Sequence, residues 1–191
     1  PLEESLAAVE HLVSADVIRY FGVSNFSVDQ LKLYRTIEQS TSIRCRVVAT
    51  QNKFDIVGGE KDDLPGVVDY CAESGVSFVA YSPLALGLLT EKYLDLSDVG
   101  PGDRLYDEGV LEEKTKEATM KKVRSLAEVA HENDLELNQL VLAYMLTLPG
   151  MGPLIPSASN VKQLESNAAA GKIELPDDVC VRIKRILNGT G

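Results

Sequence analysis

Ile18-Arg19-Tyr20-Phe21-Gly22-Val23-Ser24-Asn25-Phe26-Ser27 is the stretch whose reading decides the fold. Ile18, Tyr20, Phe21 and Val23 are β-branched or aromatic and favour a short buried strand. Ser27 stands as an N-cap before the helical run Val28, Leu31, Tyr34, Arg35. Ser24 and Asn25 therefore fall at the carboxyl end of a strand, where α/β proteins gather their chemistry. Their hydroxyl and amide groups suit a planar amide ligand. They equally suit an ordinary capped strand-to-helix turn.

On the N-terminal side, Leu2, Leu6, Val9, Leu12 and Val13 repeat at helical spacing and predict an amphipathic helix over 2–15. Pro1 takes the first helical position of that helix with acids behind it, which suggests a piece of a longer polypeptide. On the C-terminal side, the helix after Ser27 fades into Gln39-Ser40-Thr41-Ser42, and a strand over 46–52 ends in Gln51-Asn52. A turn-rich stretch over 58–63 leads into a helix over 65–74 that Gly75 stops. A third strand over 76–82 is closed by Pro83, and a connection over 84–111 is long enough to be functional. Two helices follow, the first turning Val123, Leu126, Val129 and Ala130 inward, the second over 137–148. Pro149-Gly150-Met151-Gly152 breaks that second helix, and a minimal fourth strand follows over 153–156. A helix over 160–170 and a last one over 176–187, frayed at 188–191, complete the order. Strands with apolar middles, each followed by a helix, predict a parallel sheet with helices outside. The whole of 1–191 is expected to be one domain.

The chain has 191 residues, 45% of them hydrophobic, and a formal charge of −10. That charge disfavours nucleic acid or an anionic membrane as partner, because phosphates are repelled overall. No apolar run approaches the roughly 20 residues that cross a bilayer, and no basic-then-apolar leader pattern opens the sequence. Cys45, Cys71 and Cys180 are odd in number and far apart, which predicts neither disulfides nor zinc. His11 and His131 lie on charged helical stretches, so no metal site is expected; a reducing, cytoplasmic location is.

Ser24-Asn25, Gln51-Asn52, Tyr81-Ser82 and Ser157-Ala158-Ser159 stand at the four predicted strand ends. In a parallel barrel such ends share one mouth. Neutral donors and acceptors beside a phenol face suit a heteroaromatic carboxamide lying against the ring. Asn160, with Ser157 and Ser159 before it, opens a helix whose N-terminus can seat a phosphate. No G-x-G-x-x-G follows a strand. Each residue also has a plainer reading: Tyr81 as packing, Gln51 as a helix cap, Asp62 and Asp63 as solvated. Lys92 and Arg104 taken singly are surface charges, and taken together a phosphate clamp. Ser5, Ser14 and the histidines stand in no nucleophile-elbow setting.

The run 19–27, the Gln51-Asn52 pair, Ala80-Tyr81-Ser82-Pro83-Leu84-Ala85-Leu86-Gly87-Leu88-Leu89-Thr90-Glu91-Lys92-Tyr93, Gly102-Asp103-Arg104, and Ile155-Pro156-Ser157-Ala158-Ser159-Asn160 with Gln163-Leu164-Glu165 and Asn167 occur in one order over nearly the whole chain. Together they resemble the aldo-keto reductase superfamily, in the branch of bacterial general aldo-keto reductases and potassium-channel β-subunits. The resemblance implies a TIM-type (β/α)8 barrel that binds NADP(H) across its strand ends. It implies that Ser24, Asn25 and Gln51 hold the nicotinamide carboxamide and that Tyr81 stacks on the ring. Ser82, Pro83, Leu84 and Gly87, with Lys92 and Arg104, would line the pyrophosphate. Ser157, Ser159, Gln163 and Asn167 would hold the adenosine end with its 2′-phosphate. Three positions depart from the pattern: Leu86 replaces a common Gln, Ser166 a Glu that meets the adenine amine, and Ser157 a Gly. Lys162 is the nearest cation for the 2′-phosphate.

A full barrel needs roughly 250 residues, and this sequence supplies the last four βα units with extra C-terminal helices. By resemblance, the family's catalytic Asp, Tyr, Lys and His lie on the first four strands, so no catalytic residue is assigned here. The expectation is an NADP(H)-linked carbonyl oxidoreductase of which this chain carries the cofactor-binding half. The alternative is a non-catalytic half-barrel serving as a nucleotide-binding or regulatory subunit. Open sheet edges predict self-association or pairing with the missing N-terminal half, and the complete barrel would take a small carbonyl substrate.

Overall fold

The computed structural model describes residues 2–41 and 46–189. The expectations that fall on Pro1, Ser42, Cys45, Thr190 and Gly191 lie outside the described residues. The elements are α1 (Leu2–Ser14), β1 (Phe21–Ser24), α2 (Val28–Thr41), β2 (Val47–Asp55), β3 (Gly59–Glu60), α3 (Val67–Ser74), β4 (Ser77–Tyr81), α4 (Arg104–Asp107), α5 (Leu111–Lys114), α6 (Glu117–Glu132), α7 (Leu137–Leu146), β5 (Met151–Ile155), α8 (Val161–Ala169) and α9 (Asp177–Asn188). The chain divides into two compact units: residues 1–53, 60–81 and 149–153, and residues 54–59, 82–148 and 154–191.

The first unit is built on the sheet, ordered β1-β2-β4-β5 with β3 paired to β2. The β1–β2 and β2–β4 pairs are parallel, setting Ser24 beside Gln51 and Lys53 beside Tyr81. Parallel neighbours need a crossover, and α2 and α3 supply it. Ser27 opens α2 as the sequence predicts. Its Oγ accepts from the Gln30 N–H at 3.3 Å, and the Gln30 side chain takes the Ser27 N–H at 2.9 Å, a reciprocal box that satisfies two orphan donors. Gly75 ends α3 in the left-handed conformation, also as predicted.

Three expectations fail here. The strand around Tyr20 is shorter than predicted and not buried: β1 begins at Phe21, Tyr20 is 75% exposed, and β1 alternates half-buried with exposed residues. Among the described residues it is the first strand of the sheet with one neighbour, so little covers it. Second, Gln51 and Asn52 do not end their strand. β2 runs on to Asp55 because β3 pairs with it, and the Asp55 carboxylate collects the Val57 and Gly58 N–H groups at the turn. Third, residues 149–152 end the preceding helix as predicted, but the fourth strand starts earlier than 153, because Gly150 and Gly152 bring the chain against the sheet. The Gly150 carbonyl accepts from the Phe78 N–H at 2.9 Å, and a Cβ on Gly150 would lie 2.5 Å from the Ala72 nitrogen. β5 accordingly starts at Met151.

The second unit is helical. α6 buries Met120, Val123, Leu126, Ala127, Val129 and Ala130 along one stripe, the face the sequence predicts. α7 is buried almost all round, as its uninterrupted Leu140-Val141-Leu142-Ala143 run requires, and it packs against α6 and α8. Each fully buried leucine contributes about 1.5–3 kcal/mol of apolar transfer. The long connection is not a loose loop: Leu88, Leu89, Tyr93 and Leu105 are at most 2% exposed, and the Leu105 N–H donates to the Tyr93 hydroxyl at 3.2 Å.

Candidate functional site

The residues singled out by sequence fall into two sets, one in each unit. In the first unit, Asn25 follows β1 directly in a left-handed conformation (φ 55°), which asparagine tolerates through its short polar side chain. Its N–H and the Ser24 hydroxyl both donate to the Gln51 carbonyl at 3.0 Å. The Asn25 amide donates to Ser24 Oγ at 3.2 Å, and the Tyr81 hydroxyl donates to Asn25 Oδ1 at 3.0 Å. Ser24, Asn25, Gln51 and Tyr81 are thus one hydrogen-bonded group. Gln51 joins it through its backbone, while its side chain is exposed. Each amide retains an N–H and a lone pair beyond these bonds, which is what a planar amide ligand needs.

Asn52 supports this group from below. It is 2% exposed, donates to the Phe26 carbonyl at 3.0 Å and accepts from the buried Thr50 hydroxyl at 3.1 Å. The chain is thereby anchored on the far side of Asn25.

In the second unit a cavity of about 670 Å³ is lined by Ser82, Pro83, Leu84, Gly87, Lys92, Arg104, Ser157, Ser159, Gln163 and Asn167, all ten of the remaining predicted residues. Such volumes are ordinary for a small-molecule or cofactor site. One wall is the start of the long connection. Ser82, Ala85 and Leu86 all hold φ between 49° and 60°, and Gly87 sits at 98°. Non-glycine residues in that region each cost about 1–3 kcal/mol, and such strain clusters at binding sites. The opposite wall is the N-terminus of α8. The Asn160 side chain caps it, accepting from the Gln163 N–H at 3.0 Å, and Gln163 Oε1 in turn receives both the N–H and the hydroxyl of Ser159.

The lining carries three cations, Lys92, Arg104 and Lys162, and three carboxylates, Glu91, Asp103 and Glu136. Lys92 is paired with Asp103, whose other oxygen accepts from the Gly100 N–H at 3.0 Å. Arg104 donates to Glu108 at 2.8 Å. An incoming anion must therefore replace two carboxylates to engage both groups. Glu136, Asn138, Glu91 and Asp103 are cavity residues that the sequence reading missed. Glu91 and Asp103 directly precede the predicted Lys92 and Arg104, whereas Glu136 and Asn138 lie far in sequence from every predicted residue and only packing brings them in.

The sequence profile of the Aldo/keto reductase family matches residues 1–188. This chain belongs to the aldo/keto reductase family. Among curated relatives, the L-glyceraldehyde 3-phosphate reductase of Escherichia coli (strain K12) is 27% identical over 89% of this chain and 49% of its own. The aldo-keto reductase yakc [NADP(+)] of Schizosaccharomyces pombe is 27% identical over 96% of this chain and 52% of its own. A solved structure of the thermostable aldo-keto reductase Tm1743 in complex with epalrestat superposes with a TM-score of 0.67 at 30% identity, covering 100% of this chain and 55% of that one. The chain spans about half the length of the curated relatives it matches. Its α/β fold with parallel strands is the one this family requires. Among the described residues no helix is long and apolar enough to cross a membrane, and no group of three or more His, Cys, Asp or Glu could hold a metal.

Proposed function

We propose that this chain is the cofactor-holding half of an NADP(H)-linked aldo-keto reductase, the last four βα units of a (β/α)8 barrel. The observation that carries the reading is the second-unit cavity, where the strained loop after Tyr81, three cations and a capped helix N-terminus meet. The residues fit a dinucleotide by their chemistry. Free N–H groups and the positive end of α8, with Lys162 in its first turn, suit a phosphate. Lys92 and Arg104 suit a second phosphate once they exchange Asp103 and Glu108 for it.

Ser24, Asn25, Gln51 and Tyr81 are assigned the carboxamide and ring of the nicotinamide. That assignment rests on the family pattern and on the hydrogen bonds inside the first unit alone. When bound, the cofactor supplies hydride chemistry. The residues of this chain bind and orient; the proton donor of the family's reaction, a Tyr with its Asp, Lys and His partners, is not assigned to any of these 191 residues.

Titration of the full chain with NADPH, followed by nucleotide fluorescence, tests the reading. Saturable binding that weakens with salt and is lost in Lys162→Ala combined with Arg104→Ala is expected. Absence of saturable binding in the unsubstituted, folded chain overturns it. No carbonyl reduction above background is expected from these 191 residues by themselves.

A further inference from the structure

The sheet face that carries Tyr81 holds a cation with no partner. Side chains alternate across a strand, and burial shows the direction. In β4, Phe78 and Ala80 are buried, whereas Ser77, Val79 and Tyr81 are half-buried. In β2, Thr50 and Asn52 go with the buried side, and Gln51 and Lys53 with the other. The parallel register sets Lys53 beside Tyr81 and Gln51 beside Ser24. Lys53, Gln51, Ser24 and Tyr81 therefore share one face, and all four belong to the first unit.

Among the described residues, Lys53 is the only half-buried lysine whose side chain has neither an ion pair nor a hydrogen bond. Lys114 and Lys122, also half-buried, hold Glu113 and the Leu187 carbonyl. The neighbours of Lys53 on its face, Ala49, Gln51, Ser77, Val79 and Tyr81, include no acid. A half-buried ammonium loses hydration that only an acceptor oxygen restores. It offers three donors, and the exposed Gln51 amide, itself without a hydrogen bond, offers two more. The Tyr81 hydroxyl adds no donor, because its proton is already given to Asn25 Oδ1. The face thus presents several N–H groups, one positive charge and no negative one.

We propose that Lys53 is a specificity-determining residue that receives a carboxylate on the carbonyl substrate, so that the substrate class is small oxo acids. The proposal rests on the assignment of Ser24, Asn25, Gln51 and Tyr81 to the nicotinamide. The carboxamide assigned to those residues carries no negative charge and leaves the ammonium unanswered. A lysine beside Tyr81 has a flexible four-carbon stem that can reach past a ring lying on the phenol. One cation matches the single charge of a carboxylate, whereas a phosphate brings about two.

The test uses the full chain carrying 13C at the lysine ε-carbons, with and without NADPH. Loss of one signal in Lys53→Arg assigns Lys53. At constant ionic strength, pyruvate should move the Lys53 signal saturably. Methyl pyruvate, its neutral ester, should bind about tenfold or more weakly, the size of one hydrogen bond to a charged group. In Lys53→Gln the two probes should bind within about threefold of one another, and Lys53→Arg should keep the preference for pyruvate. Circular dichroism establishes that each variant is folded. NADPH binding with a Lys53 signal that pyruvate leaves in place, or that methyl pyruvate moves equally, overturns the proposal and leaves the cofactor reading standing. So does a preference for pyruvate unchanged in Lys53→Gln. Inorganic phosphate moving the signal at lower concentration than pyruvate overturns the choice of a carboxylate. A Lys53 signal moved by pyruvate without any NADPH binding supports the carboxylate seat and overturns the cofactor reading. Failure of both pyruvate and NADPH to bind overturns both.

Discussion

Tyr81 and Asn25 are 56 positions apart in sequence and meet in one 3.0 Å hydrogen bond. A partly exposed bond of this kind contributes about 0.5–1.5 kcal/mol net. Tyr81→Phe should lower stability by about that amount in urea unfolding while keeping a ring face for stacking, so nucleotide affinity should fall less than in Tyr81→Ala. Cys71 behaves differently. It is 1% exposed, and burial first, then the nearby Glu60 charge, raise its thiol from an ordinary value of 9.0 to about 11. The unfolded thiol loses its proton near 9 and the folded one near 11, so the folded state binds the extra proton between those values. The stabilising contribution is complete below pH 9 and declines as pH climbs toward 11. Unfolding midpoints measured from pH 8 to 11 should fall more steeply for the native chain than for Cys71→Ala, and iodoacetamide should leave the folded thiol unmodified at pH 7.

At the scale of elements, the capping chemistry was legible from sequence where cap and helix are contiguous. Ser27 and Gly75 cap the helices they were predicted to cap, and Asn160 caps the helix it was predicted to open, because the partners of a local cap lie within four residues. The cap of α3 was invisible for the opposite reason. Glu60, on β3, reaches the Gly66 and Val68 N–H groups at 2.6 and 2.8 Å across the turn. Glu60→Ala should cost about 0.5–2 kcal/mol in equilibrium unfolding and lower the Cys71 thiol pKa through loss of the adjacent charge. The early start of β5 at Met151 was missed for a related reason. A glycine that only ends a helix and one that also lets a backbone approach look identical in sequence. Contact with Ala72 and Ser77, some 75 residues earlier in the chain, decides which it is.

At the scale of the molecule, β1 and β5 stand at the two ends of the sheet order among the described residues. Unpaired strand edges template association, and we propose that the chain self-associates or pairs with a complementary barrel half. Light scattering on the purified chain should report a species heavier than the 20.8 kDa protomer; a stable, folded monomer at micromolar concentration would count against the proposal. Binding that favours the folded state should also raise the melting temperature. On the proposed reading, NADPH at about one hundred times its dissociation constant should add about 2.7 kcal/mol.

The sequence by itself determined the alternation of strands and helices, the inward face of α6, the local caps and the family pattern that marks fourteen candidate residues. These depend on spacing, and spacing is a property of the chain. Tertiary structure alone decided that β2 outruns Gln51, that Tyr20 lies in solvent, and that Lys92 and Arg104 already face carboxylates. It alone brought Glu136 and Asn138 to the cavity. Each of those outcomes depends on which remote groups the packed chain sets within hydrogen-bond reach, and local sequence preference carries no information about that distance.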